Sequence, residues 1–188
     1  RKKIGGETLE ALDNIKNILK QRNIKFKIYK HSDIPTVKDA KEKVDFDIDK
    51  CYKTIAFKYD EKFIFVSLRA EDSIDYTKLC SKLNIKRKNL KKADSKELEE
   101  LFGYESGGIA PISVSNRIAV IFDNKIQNEN MVYCGSGRKD MTIEINGNDL
   151  VRLSNAIMDI SKSKLKNICI GGRQDRDDRK TKINKEDD

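Results

Sequence analysis

The stretch from Cys51 to Leu68 constrains the fold of this chain more than any other. Two strand-like runs, Cys51 to Phe57 and Phe63 to Leu68, flank the polar turn Tyr59-Asp60-Glu61-Lys62. Aromatic and β-branched residues in short blocks on either side of such a turn specify a β-hairpin. An isolated hairpin is marginal in water, so further strands or helices must cover it. Period-two alternation also puts Lys53 on the face shared by Cys51, Ile55 and Phe57. An ammonium among such neighbours is costly unless it is paired or faces a cavity.

The flanking sequence supplies the covering elements. After the Gly5-Gly6 break, Thr8 can cap a helix carrying Leu9, Leu12, Ile15, Ile18 and Leu19, which Asn23 ends. Phe26, Ile28 and Tyr29 read as a short strand leading to His31, and Pro35-Thr36 can open a helix with Val37, Ala40 and Val44. Beyond the hairpin, Tyr76, Leu79 and Leu83 mark another helix, followed by the basic stretch Lys86 to Lys92. Asp94 with Glu97 is a capping pair for a helix through Leu98 and Leu101, and Gly103 stops it. A glycine-rich loop runs from Gly103 to Ser113. Strands follow at Ile118 to Phe122, Met131 to Cys134 and Met141 to Ile145, joined by Asp123-Asn124 and Gly135-Ser136-Gly137. A last long helix is expected from Asn148 or Asp149 through Leu150, Leu153, Ile157 and Ile160, and a strand at Ile168 to Ile170. Hairpin-joined strands with helices inserted between groups point to a mostly antiparallel α+β domain.

A length of 188 residues suits one well-buried core. No apolar run approaches the roughly 20 residues that span a bilayer. Cys51, Cys80, Cys134 and Cys169 are scattered, and with a single histidine they do not assemble into a zinc site. Such cysteines read as reduced intracellular thiols, which places the chain in the cytoplasm. The opening Arg1-Lys2-Lys3 has no Met and no signal region, as in a piece of something longer. The net charge of +8 suits a phosphate-backbone partner, although a lysine-rich composition gives the same number without a patch.

Three features can carry chemistry. Lys53, projecting from a rigid strand, can hold a phosphate or a substrate hydroxyl; alternatively it snorkels out at the strand end. In Gly103-Tyr104-Glu105-Ser106-Gly107-Gly108-Ile109-Ala110-Pro111, paired glycines let the backbone approach a ligand, and exposed N–H groups can stabilise an oxyanion. The same loop can be an ordinary connection, and it lacks the Gly-Lys-Ser/Thr ending of a phosphate loop. The turn Cys134-Gly135-Ser136-Gly137-Arg138-Lys139 offers small residues and two cations, or is a plain hairpin turn. His31 has no obvious partner and by itself reads as a loop or packing residue. Ser136 sits in no G-x-S-x-G elbow, and nothing adjacent activates Cys134.

In this order, however, the features resemble one family. Tyr52-Lys53-Thr54 on an early strand, Gly103-Tyr104-x-x-Gly107-Gly108-x-x-Pro111, Asp123 after an apolar strand, the glycine turn and Ile143-Glu144-Ile145 are similar to the YbaK/aminoacyl-tRNA deacylase pattern. The likeness runs from about Thr8 to about Ile160. It implies an α+β fold on a mixed, largely antiparallel barrel-like sheet surrounded by helices. It implies hydrolysis of the ester joining a wrong amino acid to a tRNA, most readily alanine or cysteine on proline tRNA, alone or fused to prolyl-tRNA synthetase. The family's essential lysine maps onto Lys53, and its Gly-x-x-x-Pro loop onto Gly107 to Pro111, so Lys53, Gly107 and Gly108 are the expected catalytic set. His31, Ile109, Pro111, Asp123, Gly135, Ser136 and Gly137 are the expected substrate-binding residues, and Lys88, Arg138 and Lys139 the tRNA-binding ones. No metal or cofactor is implied. Similar sequences read Ser-Gly-Gly or Ala-Gly at the glycine turn, so a specific hydroxyl role for Ser136 does not carry over. Residues 1–7 then form an extension, 8–172 the domain and 173–188 a charged tail or linker. A tRNA-binding appendage without catalysis and a small-molecule-binding domain of the same fold are the rival readings.

Overall fold

A computed structural model of the chain describes residues 3–4, 7–8, 10–31 and 46–163. The expected helix at Pro35 to Val44, the strand at Ile168 to Ile170 and the tail from Arg173 lie outside them. The described chain opens with a small antiparallel pair, β1 (Lys3–Ile4) and β2 (Glu7–Thr8). Thr8 is therefore not a helix cap: its backbone pairs with Lys3, and helix α1 (Ala11–Gln21) starts later, burying Ala11, Leu12, Ile15 and Leu19. Asn23 does end it, in the left-handed region at φ 54°.

Strand β3 (Phe26–Lys30) follows, then the hairpin of β4 (Cys51–Tyr59) and β5 (Lys62–Arg69). Tyr59 pairs with Lys62, so Asp60 and Glu61 alone make the turn. After β6 (Ser73–Ile74), the Asp75 carboxylate caps helix α2 (Tyr76–Leu83) by accepting from the N–H groups of Thr77 and Lys78. Strand β7 (Lys91–Lys92) leads to α3 (Ser95–Phe102), capped by Asp94 and terminated by Gly103 at φ 76°. Glu97 does not return the capping bond; its carboxylate pairs with Lys58 instead.

Strands β8 (Ile118–Asp123), β9 (Met131–Gly135) and β10 (Met141–Asn146) lie where the apolar runs put them. The long last helix does not form. Helix α4 (Gly147–Leu153) is short, and the chain then becomes β11 (Ala156–Met158), parallel to β8, and β12 (Ser161–Lys162), antiparallel to β6. Asn155 makes the switch: its N–H donates to Val120 O and its side-chain oxygen accepts from Val120 N, both at 2.8 Å. Ile157 and Ile160 are thus spent on strand docking, not on a helical face.

The main sheet runs β11-β8-β5-β4-β9-β10-β3, with β7 added beside β4. It is mixed. The pairs β4/β5, β4/β7, β9/β10 and β10/β3 are antiparallel, whereas β4/β9, β5/β8 and β8/β11 are parallel. The parallel β5/β8 pair needs a long crossover, and α2, β7 and α3 occupy it. Strand β5 is covered on both faces: Phe63 and Phe65 enter a core with Tyr104, Val120 and Phe122, while Ile64, Val66 and Leu68 enter a second with Leu79 and Ile121. No described helix is long and apolar enough to cross a membrane.

Two glycine-bearing segments are pressed together beside this sheet. A β-carbon on Gly108 would lie 2.2 Å from the Arg138 carbonyl carbon, and one on Gly135 would lie 2.3 Å from Ile109 O. The segments are also tied by Gly137 N–H to Gly108 O at 2.7 Å and Glu105 N–H to Gly137 O at 2.9 Å. Gly107 has open space around it but sits at φ +87°. On the other side of β9, Glu144 accepts from the hydroxyls of Tyr29 and Tyr133 and pairs with Lys27. Those bonds, led by the Tyr29 hydroxyl, hold its carboxyl below the usual range.

Gly108→Ala and Gly135→Ala should each cost about 3 kcal/mol in urea unfolding, because neither neighbouring backbone can yield, whereas Gly107→Ala should cost only about 1 kcal/mol of left-handed strain. Glu144→Gln should lose roughly 1–2 kcal/mol at neutral pH. A depressed carboxylate contributes stability above its unfolded pKa and loses it as pH falls through the folded one. The gap between variant and wild type should therefore close below about pH 4 in thermal melts across pH.

Candidate active site

A cavity of about 580 Å³ opens along β4, between β9 and β7. Its walls bring together His31, Lys53, Gly107, Ile109, Gly135 and Lys139 from the sequence-derived candidates. Alternation on β4 explains Lys53. Tyr52 and Ala56 turn into the main core, while Cys51, Lys53 and Ile55 face the cavity and Phe57 enters the second core. The Lys53 ammonium donates to the carbonyls of Ala70 at 2.7 Å and Asp72 at 2.5 Å, just past the end of β5. Asp72 is itself buried, its carboxylate 2.6 Å from Lys125.

The glycine loop forms the opposite wall. Tyr104 is fully buried, packs edge-on against Phe65 and donates its hydroxyl to Ile112 O, which pins the two ends of the loop. Gly107 and Ile109 line the cavity, and neither N–H has a hydrogen-bond partner among the described residues. Gly108 is buried; its N–H donates to Glu105 O at 3.0 Å, and Pro111 is buried behind it. The His31 ring lies 3.0 Å from the Thr142 hydroxyl, and the His31 main-chain N–H donates to Asp140 O.

The other candidates sit elsewhere. The fully buried Asp123 carboxylate accepts from the N–H groups of Lys125, Ile160 and Ser161, so it anchors the chain into β12. Ser136 is also fully buried, with Oγ 2.9 Å from Met141 O, closing the glycine turn from within. Gly137 is tied to the glycine loop as above. Arg138 is held by Asp140, with its Nε 2.9 Å from that carboxylate, which raises the guanidinium pKa and lowers that of Asp140. Lys88 is exposed on the turn before β7.

The electrostatics of the cavity are one-sided. Lys53, Lys92 and Lys139 line it, and no Asp or Glu does among the described residues. Cys51 and Cys134 also reach it, but burial pushes both thiols up to about 12, so neither is a thiolate near neutral pH. The described residues hold no group of three or more His, Cys, Asp or Glu arranged for a metal ion. Such a wall can bind an anionic ligand and stabilise developing negative charge. Lys92, from the basic stretch, and Ser106, from the glycine-rich loop, join the cavity, and so do Tyr76, Tyr133 and Thr142, which looked like ordinary helix or strand residues in the sequence. A wider hollow of about 760 Å³ lies by Ile112–Asn116 and Arg152–Asn155. The Ser113, Ser154 and Asn155 side chains there are spent on nearby backbone.

Comparison with known proteins adds to this geometry. The family model described as the aminoacyl-tRNA editing domain matches residues 31–153. A proline–tRNA ligase of Staphylococcus aureus (strain JH1) is 29% identical over 147 residues, 71% of this chain and 25% of that protein. One from Thermoanaerobacter sp. (strain X514) is 26% identical over 113 residues, 58% of this chain and 20% of that protein. The matched part of the chain thus spans a quarter or less of these relatives. Among solved structures, one titled as a putative trans-editing enzyme for prolyl tRNA synthetase superposes with a TM-score of 0.69 at 17% identity, covering 81% of this chain and 98% of that one. The hypothetical protein APE2540 gives 0.68 at 19% identity, covering 79% and 99%. Those likenesses carry the fold, and with the family match over residues 31–153 they establish that the chain belongs to the aminoacyl-tRNA editing domain family.

Proposed function

We propose that this domain hydrolyses the ester between a small, wrongly attached amino acid and the 3′ end of a tRNA, with alanyl- or cysteinyl-tRNA(Pro) as substrate. The observation that carries this reading is the cavity wall: Lys53 fixed on β4 by two main-chain carbonyls, opposite the N–H groups of Gly107 and Ile109, with no carboxylate among the described lining residues. A cavity of about 580 Å³ is of the size that takes a drug-sized ligand, and an aminoacylated terminal adenosine falls in that range. The prolyl-tRNA ligases among the relatives support proline tRNA as the carrier and a synthetase as the larger partner. On this reading we take 8–172 as the domain, 1–7 as an extension and 173–188 as a charged tail or linker.

An aminoacyl ester is already activated, so the reaction needs positioning and oxyanion stabilisation more than a protein nucleophile. Lys53 anchors the terminal adenosine or its phosphate. The N–H groups of Gly107 and Ile109 face the ester carbonyl, while Gly108 serves as the close-packed pivot that aims them. Water attacks with help from the free ribose hydroxyl of the substrate, and the correct, larger prolyl group is excluded by size. His31 and Thr142 form the wall nearest the glycine turn and shape the amino-acid pocket.

Single-turnover deacylation of alanyl-, cysteinyl- and prolyl-tRNA(Pro) tests this. The wild type should hydrolyse one mischarged ester and spare the prolyl ester, and Lys53→Ala should slow that hydrolysis by about a hundredfold. Wild-type rates in Lys53→Ala would remove Lys53 from the mechanism. No hydrolysis of any ester, with tRNA binding intact, would leave a binding appendage without catalysis.

A further inference from the structure

The segment Lys86 to Lys92 borders the cavity, and catalysis as described leaves it unused. Five of its seven residues are basic: Lys86, Arg87, Lys88, Lys91 and Lys92. All five are exposed, and none forms an ion pair among the described residues. The acidic side chains flanking the segment are engaged elsewhere, Asp75 and Asp94 as helix caps and Glu97 with Lys58.

This is a shaped ridge. The segment is bolted down by Leu90, which is 1% exposed, and by β7, which pairs Lys91 with Lys58 and Lys92 with Phe57. The Arg87 guanidinium is held in place: it donates to Leu90 O at 2.9 Å and lies over the Tyr76 ring, 4.2 Å from its centre, and that ring in turn meets Phe57 edge-on. Tyr76 and Lys92 also line the cavity that contains Lys53, so the ridge runs into the site without a break.

We propose that this ridge seats the single-stranded 3′ end of an RNA whose last nucleotide enters the cavity, an inference that rests on the function proposed above. Lys88 and Lys91 contact backbone phosphates, and the Arg87 guanidinium, backed by Tyr76, offers a plane on which a base stacks. A row of cations ending at a cationic cavity fits a polymer with one charge per nucleotide. A flat guanidinium beside the row fits bases that are unpaired.

The test uses the whole chain and an uncharged RNA hairpin ending in single-stranded CCA, with binding followed by fluorescence anisotropy across salt concentrations. The variants are Lys88→Ala/Lys91→Ala, Arg87→Ala and, as a matched loss of two charges, Lys20→Ala/Lys25→Ala. The Lys88/Lys91 pair should bind about tenfold more weakly, with a log–log salt slope shallower by about 1.4, roughly 0.7 for each lost single-strand phosphate contact. Arg87→Ala should weaken binding to the hairpin but not to the same hairpin with abasic 3′ nucleotides. The matched control should bind like the wild type. Equal weakening in ridge and control variants, or none in either, would overturn the ridge. Because the probe carries no ester, weakened binding without any hydrolysis of mischarged tRNA would keep the ridge and sink the deacylase. Lys53-dependent hydrolysis with no effect at the ridge would do the reverse.

Discussion

Where the glycine loop crosses the glycine turn, two main chains meet at a separation that admits no side chain. Gly108 abuts the Arg138 carbonyl and Gly135 abuts the Ile109 carbonyl, each too closely for a β-carbon. The crossing is locked by main-chain hydrogen bonds and by the Glu105 carboxylate, which accepts from Lys139 N–H. Most of the site depends on this clamp. It turns Gly107 and Ile109 toward the cavity, holds Lys139 on its wall, and sets that wall against β4. Glycine at these positions is therefore a steric requirement of the fold before it is a feature of chemistry.

Charge is sorted around the clamp. The described carboxylates nearest the site have structural work: Asp72 pairs with Lys125, Asp140 holds Arg138, and Asp123 receives three main-chain N–H groups. The described cations that line the cavity are Lys53, Lys92 and Lys139. Lys53 shows how such a charge is kept on a strand between two apolar clusters. Its ammonium is solvated by the carbonyls of Ala70 and Asp72, main-chain groups of the turn after β5. Burial holds both cavity thiols protonated near neutral pH.

The local elements were legible in the residues because their determinants are local. Alternation and a polar turn specified β4 and β5, apolar spacing marked α2, the Asp94 carboxylate marked the start of α3, and Gly103 and Asn23 marked ends. The failures share one cause. Thr8 is a good cap residue, but its backbone is taken by Lys3, and Leu150 to Ile160 has helical spacing that Asn155 overrides by clasping Val120 on both sides. Each was decided by a partner far away in sequence, which periodicity does not see.

The same division holds at the site. The sequence by itself determined that a lysine would share a strand face with apolar residues and that the loop around Gly107 and Gly108 would allow close backbone approach, since both follow from side-chain period and the missing β-carbon. Only the tertiary structure decided which N–H groups of that loop remain open, because Gly108 spends its own on Glu105. It also decided that Asp123 serves the backbone near Ser161 and that Lys92 and Tyr76 join Lys53 at one cavity. Main-chain carbonyls, crossings and shared walls carry no residue code, so they come into being only when distant segments pack.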